Sequence, residues 1–167
     1  MTRTTFELEP LLAVVRERSA FIGSHDHGER HWRTVGANGL WLAEALNGAD
    51  THVISLFALL HDSMRENEFH DPQHGPRAAT FVGELHEAEL LGISGAQLEV
   101  LRYACAEHAD GLISTDPTVG ACWDADRLDL PRVGITPRPD LFSTALARSA
   151  TYRPAVPPTW AELHTRL

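Results

Sequence analysis

The segment from Val53 to Leu60 is apolar nearly all round, interrupted only by Ser55. A helix of that kind has no face to offer water, so it must be surrounded by other elements. Asp50 stands where such a helix needs an N-cap. The segment then runs directly into His61-Asp62. An ionised aspartate beside a histidine at the end of the most apolar stretch is costly unless a cation or hydrogen bonds compensate it. The fold must therefore be built around this helix, and His61-Asp62 must be provided for.

The rest of the chain supplies helices to surround it. Glu9-Pro10 opens a first helix, with Leu11, Val14, Val15, Arg18 and Ile22 at helical spacing and Gly23-Ser24 as its stop. A second helix is expected from about His27 to Leu46, with Trp32, Val35, Leu42 and Leu46 along one face and Asn47-Gly48 ending it. After the buried helix comes a polar loop from Glu66 to Gln73. A fourth helix is expected from Pro76 to Gly92. Ser94 and Gln97 form a capping box for the fifth. A loop with Gly111 and Pro117 leads to a shorter helix carrying Trp123, Asp126 and Leu130. Residues 131–167, which hold most of the prolines, read as loops with short helices. No segment alternates at period two. The expectation is one all-α domain over residues 1–167, a helical bundle with its core at about 25–140.

Side chains that bind metals fall on the inward faces. His31 shares the face of Val35 and Leu42. His108 continues the stripe of Leu98, Leu101 and Cys105. Asp126 lies between Trp123 and Leu130, whereas Asp124 points elsewhere. A His-Asp pair at a solvated helix end is ordinary, and a single inward histidine is ordinarily a hydrogen-bonded core residue. Three helices aiming such groups inward at His61-Asp62 are better explained by a shared cation, since helical bundles build metal sites from facing helices.

The order His31, His61-Asp62, Asp126 resembles the signature of the HD superfamily of metal-dependent phosphohydrolases. "LFALLHDS" is similar to the box that ends a helix in that superfamily, "DPQHG" to a segment supplying a further histidine, and "CWDADRLDL" to the closing aspartate helix. The likeness covers roughly residues 25 to 140. It implies that His31, His61, Asp62 and Asp126 bind a first metal, and that His74 and His108 bind a second that Asp62 bridges. His61 and Asp62 would then stand at the centre of catalysis. The implied activity is hydrolysis of a small phosphate ester, such as a nucleotide, by metal-activated water. Two alternatives remain open: a di-iron oxygenase on the same scaffold, and a non-catalytic helical metal-binding domain. The Gly-Tyr-Pro tail that marks cyclic-dinucleotide esterases is absent, the chain reading Asp110-Gly111-Leu112-Ile113.

Mixed imidazole and carboxylate ligation suits Mn, Fe, Co or Zn better than Mg, as one ion or two. Arg65, Arg77 and Arg127 follow the motif residues closely, and their planar forks suit phosphate oxygens. His27, one turn before His31, reaches toward the site edge. His86 reads as peripheral, and His25, His52, His70 and His164 as surface residues. Trp160 reads as an exposed aromatic. A net charge of -9 makes long nucleic acid a poor partner. No stretch is long and apolar enough for a membrane span. No apolar leader follows Met1, and the two cysteines, Cys105 and Cys122, form no disulfide framework, so a reducing cytoplasm is expected. Cys105 reads as core.

Overall fold

A computed structural model describes residues 6–149 and 157–164. Six helices form its body: α1 (Leu8–Arg18), α2 (Glu29–Ala43), α3 (Thr51–Leu60), α4 (His74–Glu87), α5 (Gly95–Glu107) and α6 (Pro117–Arg127). Two 3-10 turns, Leu130–Val133 and Pro139–Leu141, lead to the short α7 (Ala145–Arg148) and α8 (Trp160–His164). The described residues contain no strand, so the all-α expectation holds.

Helix α3 is central, with α2, α5 and α6 packed around it and α4 laid along α5. Seven of its residues, from Val53 to Leu60 without Ser55, are buried. The Asp50 carboxylate caps it by accepting from the Val53 N–H at 3.0 Å. The Asp50 carboxylate also accepts from Gln97 Nε2 at 2.8 Å, tying the α5 capping box to the start of α3. Two glycines let helices approach closely. A Cβ on Gly39 of α2 would lie 2.5 Å from Ile54 Cγ2, and one on Gly75 of α4 would lie 2.6 Å from the Ala106 carbonyl oxygen in α5. Asn38 Nδ2 donates to the Ala125 carbonyl at 3.0 Å, and Trp123 Nε1 to the Ala104 carbonyl at 2.9 Å, so buried polar groups also fix the packing of α6.

Helix ends differ from the sequence expectation in instructive ways. α1 stops at Arg18 rather than at Gly23-Ser24, because the next carbonyls serve α2: Glu29 N–H bonds the Ile22 oxygen at 3.0 Å. α2 begins at Glu29, not His27, since extended Gly28 packs where a Cβ would lie 2.3 Å from that same oxygen. α4 takes in His74 and ends at Glu87, well before Gly92; Glu89 adopts a positive φ of 57° and Leu90 N–H bonds the Leu85 carbonyl. Pro117 is not in a loop but opens α6, with Asp116 accepting from the Thr118 and Val119 N–H groups. Leu130 lies beyond that helix, in the first 3-10 turn.

Trp160 is buried rather than exposed, its Nε1 donating to Glu29 Oε1 at 2.9 Å. His52 and His164 are partly buried against Phe6, with ring centroids 4.7 and 5.2 Å away, whereas His25 and His70 are exposed. Cys105 and Cys122 are free and buried.

Candidate metal centre

Helices α2, α4, α5 and α6 bring four ligand-type side chains to one end of α3, where His61 and Asp62 make six. His61 continues α3 as its C-cap with helical backbone angles, and its side chain is fully buried. His31 comes from the inward face of α2, His74 from the first residue of α4, His108 from the end of α5 and Asp126 from α6. Asp62 sits among them.

The groups form two sets that share Asp62. On one side, His31 Nε2 lies 3.2 Å from His61 Nε2, 3.2 Å from Asp126 Oδ1 and 3.8 Å from Asp62 Oδ2. His61 Nε2 lies 3.9 Å from Asp62 Oδ2 and 3.7 Å from Asp126 Oδ1. On the other side, Asp62 Oδ1 lies 3.2 Å from His74 Nε2 and 3.6 Å from His108 Nε2, while the two Nε2 atoms are 2.9 Å apart. Cations with bonds of about 2.1 Å hold neighbouring ligand atoms roughly 3.0–3.4 Å apart; the shorter edges of each set lie close to that range, and the others reach 3.9 Å.

The outer nitrogen of each ring shows which atom carries the proton. His61 Nδ1 faces the carbonyls of Phe57 and Ala58 at 3.1 and 3.2 Å. His108 Nδ1 faces the Cys105 carbonyl at 2.8 Å, and His74 Nδ1 faces the Asp71 carbonyl. His31 Nδ1 lies 2.8 Å from Asp129 Oδ2. A ring nitrogen against an oxygen acceptor is an N–H donor, which leaves a lone pair on the opposite Nε2. Four lone pairs and two carboxylates thus converge with no donor of their own between them. Such a cluster repels itself unless cations or extra protons enter it. The described residues therefore contain buried His/Asp groups that could hold metal ions.

The electrostatics agree. Burial holds the His61 imidazole down at about 3, so it is neutral. Burial also pulls His31 and His108 down, but the carboxylates outweigh it: Asp126 and Asp129 raise His31, and Asp62 and Asp126 raise His108 above the usual 6.5. Burial works against ionised Asp62 and Asp126, yet the surrounding imidazoles hold both carboxyls far below the ordinary range. The carboxylates thus favour the protonated forms of His31 and His108.

The other expected residues divide. His27 stands at the edge, its Nδ1 3.1 Å from Asp62 Oδ2. Arg65 is buried with Nη1 3.2 Å from Asp62 Oδ1. Both line a cavity of about 280 Å³ whose floor includes Asp62, His74, His108 and Asp126. Arg127 lines it as well. Arg77 does not: its guanidinium is committed to Asp71 and to the Met64 carbonyl, bracing the loop before α4. His86 lies in the last turn of α4, outside the cluster. Asp124 turns away and accepts from the Ser143 and Thr144 N–H groups at 2.8 and 2.7 Å. Sequence reasoning missed Asp129, which orients His31, and Arg132, which lines the cavity beside it. The spacing of Asp129, three residues after Asp126, was the available signal.

No protein-family model matches the chain, and no curated protein or solved structure matches it. No described helix is long and apolar enough to cross a membrane.

Proposed function

We propose that this protein is a metal-dependent phosphohydrolase of the HD type, acting on a small phosphate ester. One observation carries the reading: four buried imidazoles converge with two carboxylates, and Asp62, His74, His108 and Asp126 of that cluster open onto an arginine-lined cavity. In this reading His31, His61, Asp62 and Asp126 hold one divalent transition-metal ion, and Asp62, His74 and His108 hold a second. Ions bound there supply an acidified water and a Lewis acid for a phosphoryl oxygen.

The chain's own groups do the rest. Arg65, close against Asp62, offers guanidinium hydrogen bonds to the phosphoryl oxygens as charge shifts onto them. His27 keeps its Nδ1 proton on Asp62, so Nε2 holds a lone pair; that atom takes a proton from the attacking water and then hands it to the departing alcohol. The apolar wall, including Leu130 and Leu141, reduces the water around these groups and strengthens their fields.

Element analysis of protein purified without added metal tests the first half, with one or two divalent ions per chain expected. Release of inorganic phosphate from a panel of phosphate monoesters, stopped by full chelation, tests the second. Phosphate release that survives complete removal of metal overturns the proposal. Two irons per chain together with substrate-dependent oxygen consumption replace it with the di-iron oxygenase. Absence of bound metal, even on reconstitution, leaves a non-catalytic helical domain.

A further inference from the structure

Above the His/Asp cluster the cavity changes character. Asp62, His74, His108 and Asp126 lie on its floor, whereas its wall includes the aliphatic groups of Ala109, Leu130, Pro137 and Leu141. Three of those four come from one stretch, residues 130–141, which contains the two 3-10 turns after α6. The wall also carries arginines, and their donors serve the protein. Arg127 donates to the Leu141 carbonyl, and Arg132 to the Asp26 and Asp129 carbonyls. Arg138 pairs with Asp140 through two nitrogens. Arg65 stands on Asp62, over the floor. Among the described residues that line the cavity there is no Ser or Thr, no Asn or Gln, and no Phe, Tyr or Trp.

Such a wall discriminates among the groups that can accompany a phosphate. A nucleobase is read by aromatic stacking and by hydrogen bonds to its edges. A sugar needs polar side chains that replace water at its hydroxyls. Against aliphatic groups a hydroxyl loses water and gains no partner, which weakens binding. A methylene leaves water at no such cost and gains about three- to fourfold in affinity. The cavity, about 280 Å³, falls just below the roughly 300–1,000 Å³ usual for ligand pockets, so it suits a compact group. The same aliphatic character continues along the chain beside it. Leu112 and Ile113 follow Gly111 of the lining, Ile135 stands two residues before Pro137, and all three are exposed.

We infer that the cavity holds the alcohol half of the substrate as a short aliphatic group free of hydroxyls, so that the preferred substrates are small alkyl phosphates and not nucleotides or sugar phosphates. The inference rests on the hydrolase reading for the phosphate on the floor, but its first test is binding. 2-Methylbutylphosphonate and 2,3-dihydroxypropylphosphonate have the same shape and resist hydrolysis; two methyl groups of the first are hydroxyls in the second. Calorimetric titration of the metal-loaded protein should give at least tenfold tighter binding of the methyl-bearing compound. From methyl- to ethyl- to propylphosphonate, affinity should climb about three- to fourfold at each step. Leu130→Ser and Leu141→Ser should each cut the tenfold preference at least threefold and leave methylphosphonate binding unchanged. Equal binding of the two isosteres to the unaltered protein overturns the inference and needs no variant. So does tighter binding of the phosphonate analogue of adenosine monophosphate, and so does a double variant with native circular dichroism that discriminates as well as the parent. Steady-state hydrolysis of 2-methylbutyl phosphate against 2,3-dihydroxypropyl phosphate separates the two proposals. Discrimination in binding with no phosphate released from either ester overturns the hydrolase and keeps the aliphatic pocket. Phosphate released from both with equal kcat/KM keeps the hydrolase and overturns the pocket. Failure of every phosphonate to bind overturns both.

Discussion

Asp62 sends its two oxygens into two different sets of imidazoles, so losing it differs from losing any one histidine. Asp62→Ala should abolish metal loading altogether, whereas His108→Ala should empty only the second set; element analysis of the purified variants distinguishes them. Asp129 lies outside the six-group cluster, but it fixes the ring orientation of His31. Asp129→Ala should weaken metal affinity about 10–100-fold, as measured by competition with a chelator. Affinity should also depend on pH with a definite sign. His31 and His108 have raised pKa values without metal, so cations compete with protons there, and apparent affinity should climb as pH rises through and above 6.5. A flat profile across that range would show that the rings are already deprotonated. Of the clustered groups, His31, His108 and Asp126 were legible as metal-binding types on apolar faces and His61-Asp62 as the end of the most apolar helix, whereas His74 was reached only through the family resemblance. Asp129 and Arg132 were not legible, because their roles depend on how the chain turns after α6. Arg77 read as a phosphate contact, but Asp71, six residues before it, takes its charge.

The helices were legible from their apolar faces and caps, but several of their ends were not. α1 stops early because Ile22 serves the start of α2, and α4 stops at a positive φ that its non-glycine sequence does not advertise. Those ends answer to neighbours distant in sequence or to tertiary packing, which propensity cannot see. The close crossing of α4 and α5 is of the same kind. Gly75→Ala would drive a methyl group against the Ala106 and Cys105 carbonyls, at 2.6 and 2.7 Å, and backbone cannot move aside cheaply. A loss of about 1–3 kcal/mol is expected in urea unfolding, together with weaker loading of the set that includes His74 and His108. Asp50→Ala removes the cap of the central helix and should cost about 0.5–2 kcal/mol by the same measurement.

At the scale of the whole molecule, the His/Asp cluster joins α2, α3, α4, α5 and α6, so an ion held there would be linked to folding. Ligand at about 100 times its dissociation constant stabilises a fold by about 2.7 kcal/mol. Chelation should therefore lower the Tm by roughly 5–10 °C in a chain of this size, read by differential scanning fluorimetry. A second feature reaches the same centre from behind. Trp160 of α8 is seated with its indole N–H on Glu29, the first residue of α2 and two positions before His31. Arg16 of α1 holds that same carboxylate at 2.8 Å. One carboxylate at the start of α2 thus anchors both α1 and α8 to the helix that carries His31, so Glu29→Gln should release the two together.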